Sequence, residues 1–439
     1  YINRICFFIL KNMDKKSTHS IILLIIFFFY FLLTTPFGLF NDWVPLNSHT
    51  GFYSITDIDS GDGSGYYAYL RSIFFDGDID FFNENYYAHV EKFTSTGYVF
   101  NNWQIGQSIL FFPFFLLGHL SASILNASGF QVSLDGYSFP YFMSTALASQ
   151  TYLFFGLLLT FHINRKIFGK NISLITTLFI WLASPLLYYT FIRQRMAHTT
   201  EFFLSILFLT IWFKDRKSNF SNSPLLAGVL LAFLSTTRLI NITYIFVYLV
   251  DWFLLNYWNK DSIKKRNENI KFFLKFSGVF ILGFLPQLYI WQIINGVPFP
   301  KHIKGMAINS VEGFKFQVYL DRLIDIFIGP DWGIIYSMPL MIIAVCGMFF
   351  LKGFISRAKL GITIFLISLI AISIIFPPPD AYGERYLLPA IPLLAFGLAN
   401  FFSKCSTLPF IAASAPSIVS LRVISCQFLS FSGFETSVW

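Results

Sequence analysis

Two sets of side chains in this sequence have the types and spacing to do chemistry: carboxylates crowded into one polar stretch, and arginines at the ends of apolar runs. The stretch Ile55-Thr-Asp57-Ile-Asp59-Ser-Gly-Asp62-Gly-Ser-Gly65 sets three carboxylates among three glycines, just ahead of a segment with helical periodicity, Tyr66 to Phe75. Glycine lets the backbone turn sharply, and an aspartate at a helix start is favoured by capping and by the helix dipole. Taken alone, that spacing favours an acidic cap. The chemical alternative is a general base held at a membrane surface, taking a proton from a sugar or lipid hydroxyl as it attacks an activated carbon. A second cluster, Asp78, Asp80 and Glu84, is either a solvated turn or a set of oxygen ligands for a divalent cation; its spacing is specific for no metal.

The cations fall elsewhere. Arg193, Arg195 and His198 lie together between two apolar runs, Arg238 lies between two more, and Arg385 sits in Pro377-Pro-Pro-Asp-Ala-Tyr-Gly-Glu-Arg385-Tyr. Arginine suits bidentate recognition of phosphate, and it also snorkels to lipid headgroups. Carboxylates in one loop and arginines at several helix ends together describe a site for an anionic, membrane-bound substrate.

The elements that must position these groups follow from composition. Of the 439 residues, 55 % are hydrophobic and only 12 % charged, and mean hydropathy is +0.61. A soluble domain carries about 25 % charge, so the chain is short of polar surface, and disorder, collagen and disulfide scaffolds are excluded. The four cysteines lie far apart, with no CxxC pair, and suggest neither a zinc site nor a disulfide framework. Apolar runs at 20–40, 138–161, 172–192, 197–213, 223–237, 240–258, 272–294, 332–350, 360–376 and 386–402 predict an all-α polytopic membrane protein of about ten spans. With the N-terminus inside, 21 of the 31 Lys and Arg residues fall on inner segments and 10 on outer ones. The net charge of +8 therefore reports topology, and no nucleic-acid partner is expected.

One segment stands out. Residues 41–137 form a first outer loop far longer than the others, with 10 acids against Arg71 and Lys92. Loops of this length are usually functional or separately folded. Ile109 to Leu125 is apolar but interrupted by Pro113, Gly118 and His119, which predicts a helix lying at the interface rather than a crossing. A further amphipathic helix is expected near 315–328. Residues 1–19 read as a cytoplasmic N-terminus and 20–402 as the working domain. Residues 1–12 and the Ser-rich tail 403–439 are expected to stand apart from it.

Several stretches resemble GT-C glycosyltransferases, the group that contains protein O-mannosyltransferases, aminoarabinose transferases and the RgtA/B-like enzymes. They are Gly61-Asp62-Gly-Ser-Gly-Tyr-Tyr-Ala-Tyr-Leu70, Asp76-Gly-Asp78-Ile-Asp80-Phe-Phe-Asn-Glu84, Gly106 to His119, Ser184 to Tyr189, Met196-Ala-His198, Asp331 to Pro339 and Tyr382-Gly-Glu-Arg385-Tyr, in the family's order. The sequence departs from the family at Gly63, where many relatives have Glu, and at Asn101–Gly106, where many carry a Pro-rich stretch. The resemblance implies transfer of a sugar from a polyprenyl-phosphate donor to a lipid, glycan or protein acceptor on the extracytoplasmic face, with inversion. It implies Asp62 as base, with Asp59 in reserve, and Arg385, Arg195, Arg238 and His198 around the donor phosphate. A divalent ion at Asp78, Asp80 and Glu84 is the one cofactor suggested. The rival functions are a polysaccharide polymerase or ligase, a flippase for a lipid-linked sugar and a non-enzymatic membrane subunit. Transporters usually need ionisable sites near the midplane, and here nearly all charge sits at span ends.

Overall fold

A computed structural model of the chain describes residues 62–84, 93–191, 193–218, 220, 224–257, 263–300, 316–329, 333–352, 358–376 and 382–404, together with Ile25. The expected first span at 20–40, the carboxylates of Asp57 and Asp59, the basic group Lys301, His302 and Lys304, and the tail beyond Lys404 lie outside the described residues. Among the described residues the architecture is helical and contains no strand, only an isolated bridge between Phe93 and Val99.

The chain opens with α1 (Asp62–Arg71), which runs on into a π turn at Ser72–Asp76 and stops at Gly77, in the left-handed conformation with φ 75°. Next come α2 (Gly106–Ala127) and α3 (Phe139–Phe168). Helix α3 shows how local sequence sets such boundaries. Pro140 stands in its first turn, where its missing N–H does no harm; Arg165 and Lys166 complement the C-terminal dipole, and Gly169 at φ 83° ends it. Then follow α4 (Lys170–Leu182), α5 (Leu186–Phe191), α6 (His198–Lys217) and α7 (Pro224–Thr237). After Arg238 the expected span at 240–258 is built from a 3-10 turn (Leu239–Thr243), a π turn (Phe246–Val250) and α8 (Asp251–Tyr257). The remainder is α9 (Ile263–Asn295), α10 (Phe316–Ile328), α11 (Ile334–Ser337), α12 (Pro339–Phe349), α13 (Lys359–Ile375), a 3-10 turn (Arg385–Ala390) and α14 (Ile391–Lys404).

Among the described residues five stretches, Gly106–Ala127, Phe139–Phe168, Leu239–Asn256, Asn267–Asn295 and Arg385–Lys404, are long and apolar enough to cross a membrane. The 22 residues of α2 reach about 33 Å. The features that predict a surface position for this helix have other reasons: Pro113 is accommodated within it, Gly118 lets it close on the Pro140–Tyr141 backbone, and His119 Nδ1 lies 2.7 Å from the Tyr141 hydroxyl. Its Leu116, Leu117, Leu120 and Ile124 face outward, as do Ile281, Leu282 and Leu285 of α9. Apolar faces of this kind need a non-aqueous neighbour. Helices α6 and α14 are instead buried almost all round and form the centre of the main apolar core. The amphipathic helix expected near 315–328 is α10.

Small residues set the closest helix approach. A Cβ on Gly347 of α12 would fall on the carbonyl oxygen of Gly397 in α14, and a Cβ on Gly397 would fall on that of Ala344. Gly397→Val is expected to force this crossing apart, costing about 1–3 kcal/mol, read as a lower thermal unfolding midpoint in detergent. Gly278→Ala, where nothing lies within 4 Å of the new methyl, should leave the midpoint unchanged or raise it, since alanine is the better helix former.

Candidate active site

Asp62 is the first residue of α1, where the helix dipole favours a carboxylate. Its side chain is turned towards the far end of the sequence: Arg385 Nη1 donates to Asp62 Oδ2 at 3.1 Å. Both groups line a cavity of about 480 Å³. Tyr66, Asn102, Gln104 and Arg238 contribute further polar groups to it, and Trp103 an indole. The lining also has an apolar part, made by Leu239, Ile240 and Ile242 from the 3-10 turn and by Ile372, Ile375 and Phe376 from the end of α13. Ile242 and Ile375 are still exposed, so this part runs out to the molecular surface.

The helix that carries Asp62 is fixed from beneath by residues 101–108. Asn101 Nδ2 donates to the Gly65 carbonyl at 3.0 Å while its Oδ1 accepts from the Trp103 N–H at 3.1 Å. The Tyr69 hydroxyl donates to the Trp103 carbonyl, and Ser108 Oγ to that of Tyr66. Gly65 must be glycine here, because a Cβ would enter the Trp103 ring. Gly106 sits against the Thr236–Thr237 backbone with no room for a side chain, which sets this loop beside Arg238. The stretch Asn101–Gly106 is thus the scaffold of α1.

Arg385 is fixed by its neighbours. Gly383 takes φ 76° against Pro185, a conformation that favours glycine. The Tyr189 hydroxyl donates to the Tyr382 carbonyl at 2.9 Å, and the Tyr244 hydroxyl to that of Pro389 at 2.6 Å. Between them Glu384, fully buried, accepts from Arg322 Nη2 at 2.7 Å, and Arg322 Nε donates to the Ser373 carbonyl. Burial pushes the Glu384 carboxyl above its ordinary value, and the nearby Arg322 works against that shift.

The other sequence candidates separate. Arg238 lines the cavity; its Nη1 donates to Glu201 Oε2 at 2.9 Å and reaches the Arg385 carbonyl at 3.3 Å. His198 is 1 % exposed and lies behind Arg238, with its ring 4.0 Å from that of Tyr189, so it backs the wall instead of lining it. Arg195 is buried with its guanidinium over the Phe142 ring at 5.0 Å, away from the cavity lining. Asp59 lies outside the described residues.

Asp78, Asp80 and Glu84 do not converge. Glu84 Oε1 accepts from Arg71 Nη1 at 2.6 Å, a nitrogen that also reaches Asp76, while Asp78 accepts from Ser72 Oγ and Asp80 from the Phe82 N–H. Burial pushes the Glu84 carboxyl up to about 7 against the pull of Arg71. These acids fix the turn after α1, and among the described residues no group of three His, Cys, Asp or Glu is arranged to hold a metal ion.

Glu201, Trp103 and Tyr66 belong to the site although the sequence reading gave them no role in it. The available signal for Glu201 was an acid one turn into an otherwise apolar span, three residues after His198.

Burial alone would raise the Asp62 carboxyl. The charges of Arg385 and then Arg238, with a hydrogen bond from Trp103, outweigh it and hold the group below the ordinary aspartate value. The ionised form therefore contributes stability above that value, lost only as pH falls through the lower folded-state midpoint. In isotope-edited infrared titration, the band identified by its loss in Asp62→Asn should titrate below free aspartate. Arg385→Gln should move that midpoint upward.

No family model matches the chain, and no curated protein sequence matches it, so the functional reading rests on this geometry.

Proposed function

We propose that this protein is a multi-pass membrane glycosyltransferase. It moves a sugar from a polyprenyl-phosphate donor to an acceptor hydroxyl, on the outer face of a bacterial cytoplasmic membrane. The observation that carries the reading is the pairing of Asp62 with Arg385 in one cavity that also has an apolar lining reaching the surface. A lipid phosphate needs such a combination: cations for its head, a carboxylate beside the reacting carbon, and a greasy wall for its chain.

Asp62 takes the proton of the acceptor hydroxyl. The freed oxygen attacks the anomeric carbon, the bond from that carbon to the phosphate oxygen breaks, and the lipid phosphate departs towards Arg385 and Arg238. Direct displacement inverts the anomeric centre. Cations already in place stabilise the leaving group without reorganising at the moment of reaction. An arriving phosphate competes with Asp62 for Arg385. Once the phosphate holds that arginine, the carboxylate loses the partner that depresses its basicity and becomes the better proton acceptor.

Asp62→Asn keeps the size of the side chain and removes the base. In proteoliposomes supplied with labelled polyprenyl-phosphate sugars, it should lower transfer by about 10²–10⁴-fold; the unfolding midpoint should fall as well, because Arg385 loses its counter-charge, so transfer is compared at a temperature where both proteins are folded. Full activity in the variant would remove Asp62 as base. Recovery of the donor chemically intact on the opposite leaflet would instead identify a flippase, and transfer of preassembled glycans a polymerase or ligase.

A further inference from the structure

Glu201 takes no part in the chemistry just described, yet it is a buried acid bonded directly to the cavity-lining Arg238. It lies in the first turn of α6, is 1 % exposed, and uses Oε2 to accept from Arg238 Nη1 at 2.9 Å. Its Oε1 is buried and has no hydrogen-bond partner. His198 Nδ1 lies 3.2 Å from the same Oε2 and 3.1 Å from the same Nη1. An arginine nitrogen can only donate and a carboxylate oxygen can only accept, so Nδ1 can hydrogen-bond with one of these two partners at a time. Glu201 is the anion touching Arg238 in this cluster.

Arg238 and Arg385 both line the cavity, Arg238 Nη1 lies 3.3 Å from the Arg385 backbone carbonyl, and Asp62 is already paired with Arg385. The charge of Arg385 opposes that of Arg238, and a second carboxylate is needed to balance it. Glu201 supplies that charge without itself lining the cavity, and its bond to Nη1 restrains the Arg238 guanidinium.

We infer that Glu201 is a positioning residue: it holds Arg238 at the cavity wall in the orientation that receives a phosphate monoester or diester, without touching the ligand itself. This inference rests on the proposed donor class. The test compares a long-chain polyprenyl phosphate with the matching polyprenol, measured by equilibrium binding to the full chain in nanodiscs. Glu201→Gln is expected to weaken the phosphate on the order of tenfold and leave the polyprenol unchanged, because only the phosphate meets Arg238. In an Arg238→Gln background the same substitution should add no further loss, the signature of two residues acting as one. Glu201→Asp keeps the charge but withdraws the oxygen by one methylene. It should show the same phosphate-selective loss, and it serves where the Gln variant does not fold. Equal weakening of both ligands, an undiminished effect without Arg238, or wild-type phosphate affinity in both variants would each overturn the positioning role. A wild-type protein that binds phosphate and alcohol equally would overturn the donor reading itself, and this inference with it.

Discussion

The site depends on one ion pair joining residues 323 positions apart, Asp62 at the start of α1 and Arg385 before α14. In water such a pair contributes little, because both groups are hydrated and mobile. Here Asp62 and Arg385 retain only 20 % and 12 % of their side-chain exposure, in a cavity with an apolar wall, so their charges act through a poorer dielectric. Neither residue reaches that position by itself. Asn101 and Ser108 hold α1 by its backbone, Trp103 accepts from its Tyr69 hydroxyl, and Tyr189, Tyr244 and the Glu384–Arg322 pair hold the segment around Arg385. The ion pair is where two independently braced pieces of backbone meet.

That bracing explains why so many polar groups are tolerated in a chain this apolar. A buried charge without a partner is strongly destabilising, so each must arrive with its counter-charge. Four sets of described residues follow that rule: Arg322 with Glu384, Arg238 with Glu201, Arg216 with Asp251, and Arg71 with Glu84 and Asp76. The pairs differ in where they lie. Arg216 and Asp251 close off the other end of α6, with Trp212 donating to the same carboxylate at 2.9 Å, and have no cavity to act on. Of these four pairs only Arg238 with Glu201 reaches the cavity lining, through Arg238.

Much of the helical framework was legible in the sequence, because long apolar runs leave few alternatives to helices. The expected runs at 138–161, 272–294, 360–376 and 386–402 each overlap one helix, α3, α9, α13 and α14. Some local signals have tertiary causes. Pro113, Gly118 and His119 look like interruptions along the chain, but in α2 the glycine and the histidine are contacts with α3. Within the site, Asp62, Arg385 and Arg238 were legible as charges in unexpected places, and the structure brings all three to one cavity. Arg195 carried the same signal and packs on Phe142. Sequence spacing marks which charges need a reason; only the packing of helices distant in sequence decides what the reason is. Glu201 was overlooked because its partner, Arg238, lies 37 positions away on another element.

The arrangement also bears on why the carboxylate and the arginine are paired and not kept apart. Had Asp62 faced the cavity without a cation, burial would have favoured its protonated form, which cannot accept a proton. Had Arg385 faced it alone, the wall would have carried two arginines against the one carboxylate of Glu201, an unbalanced charge in an apolar setting. Paired, Arg385 keeps the Asp62 carboxylate ionised at neutral pH, and an incoming anion can take over Arg385 without leaving it unsatisfied. The carboxylate released by that exchange is less strongly held down in basicity, with Arg238 still beside it. A pair that neutralises itself is therefore the form in which both reacting groups can be stored in an apolar protein, with neither spent before an anion arrives.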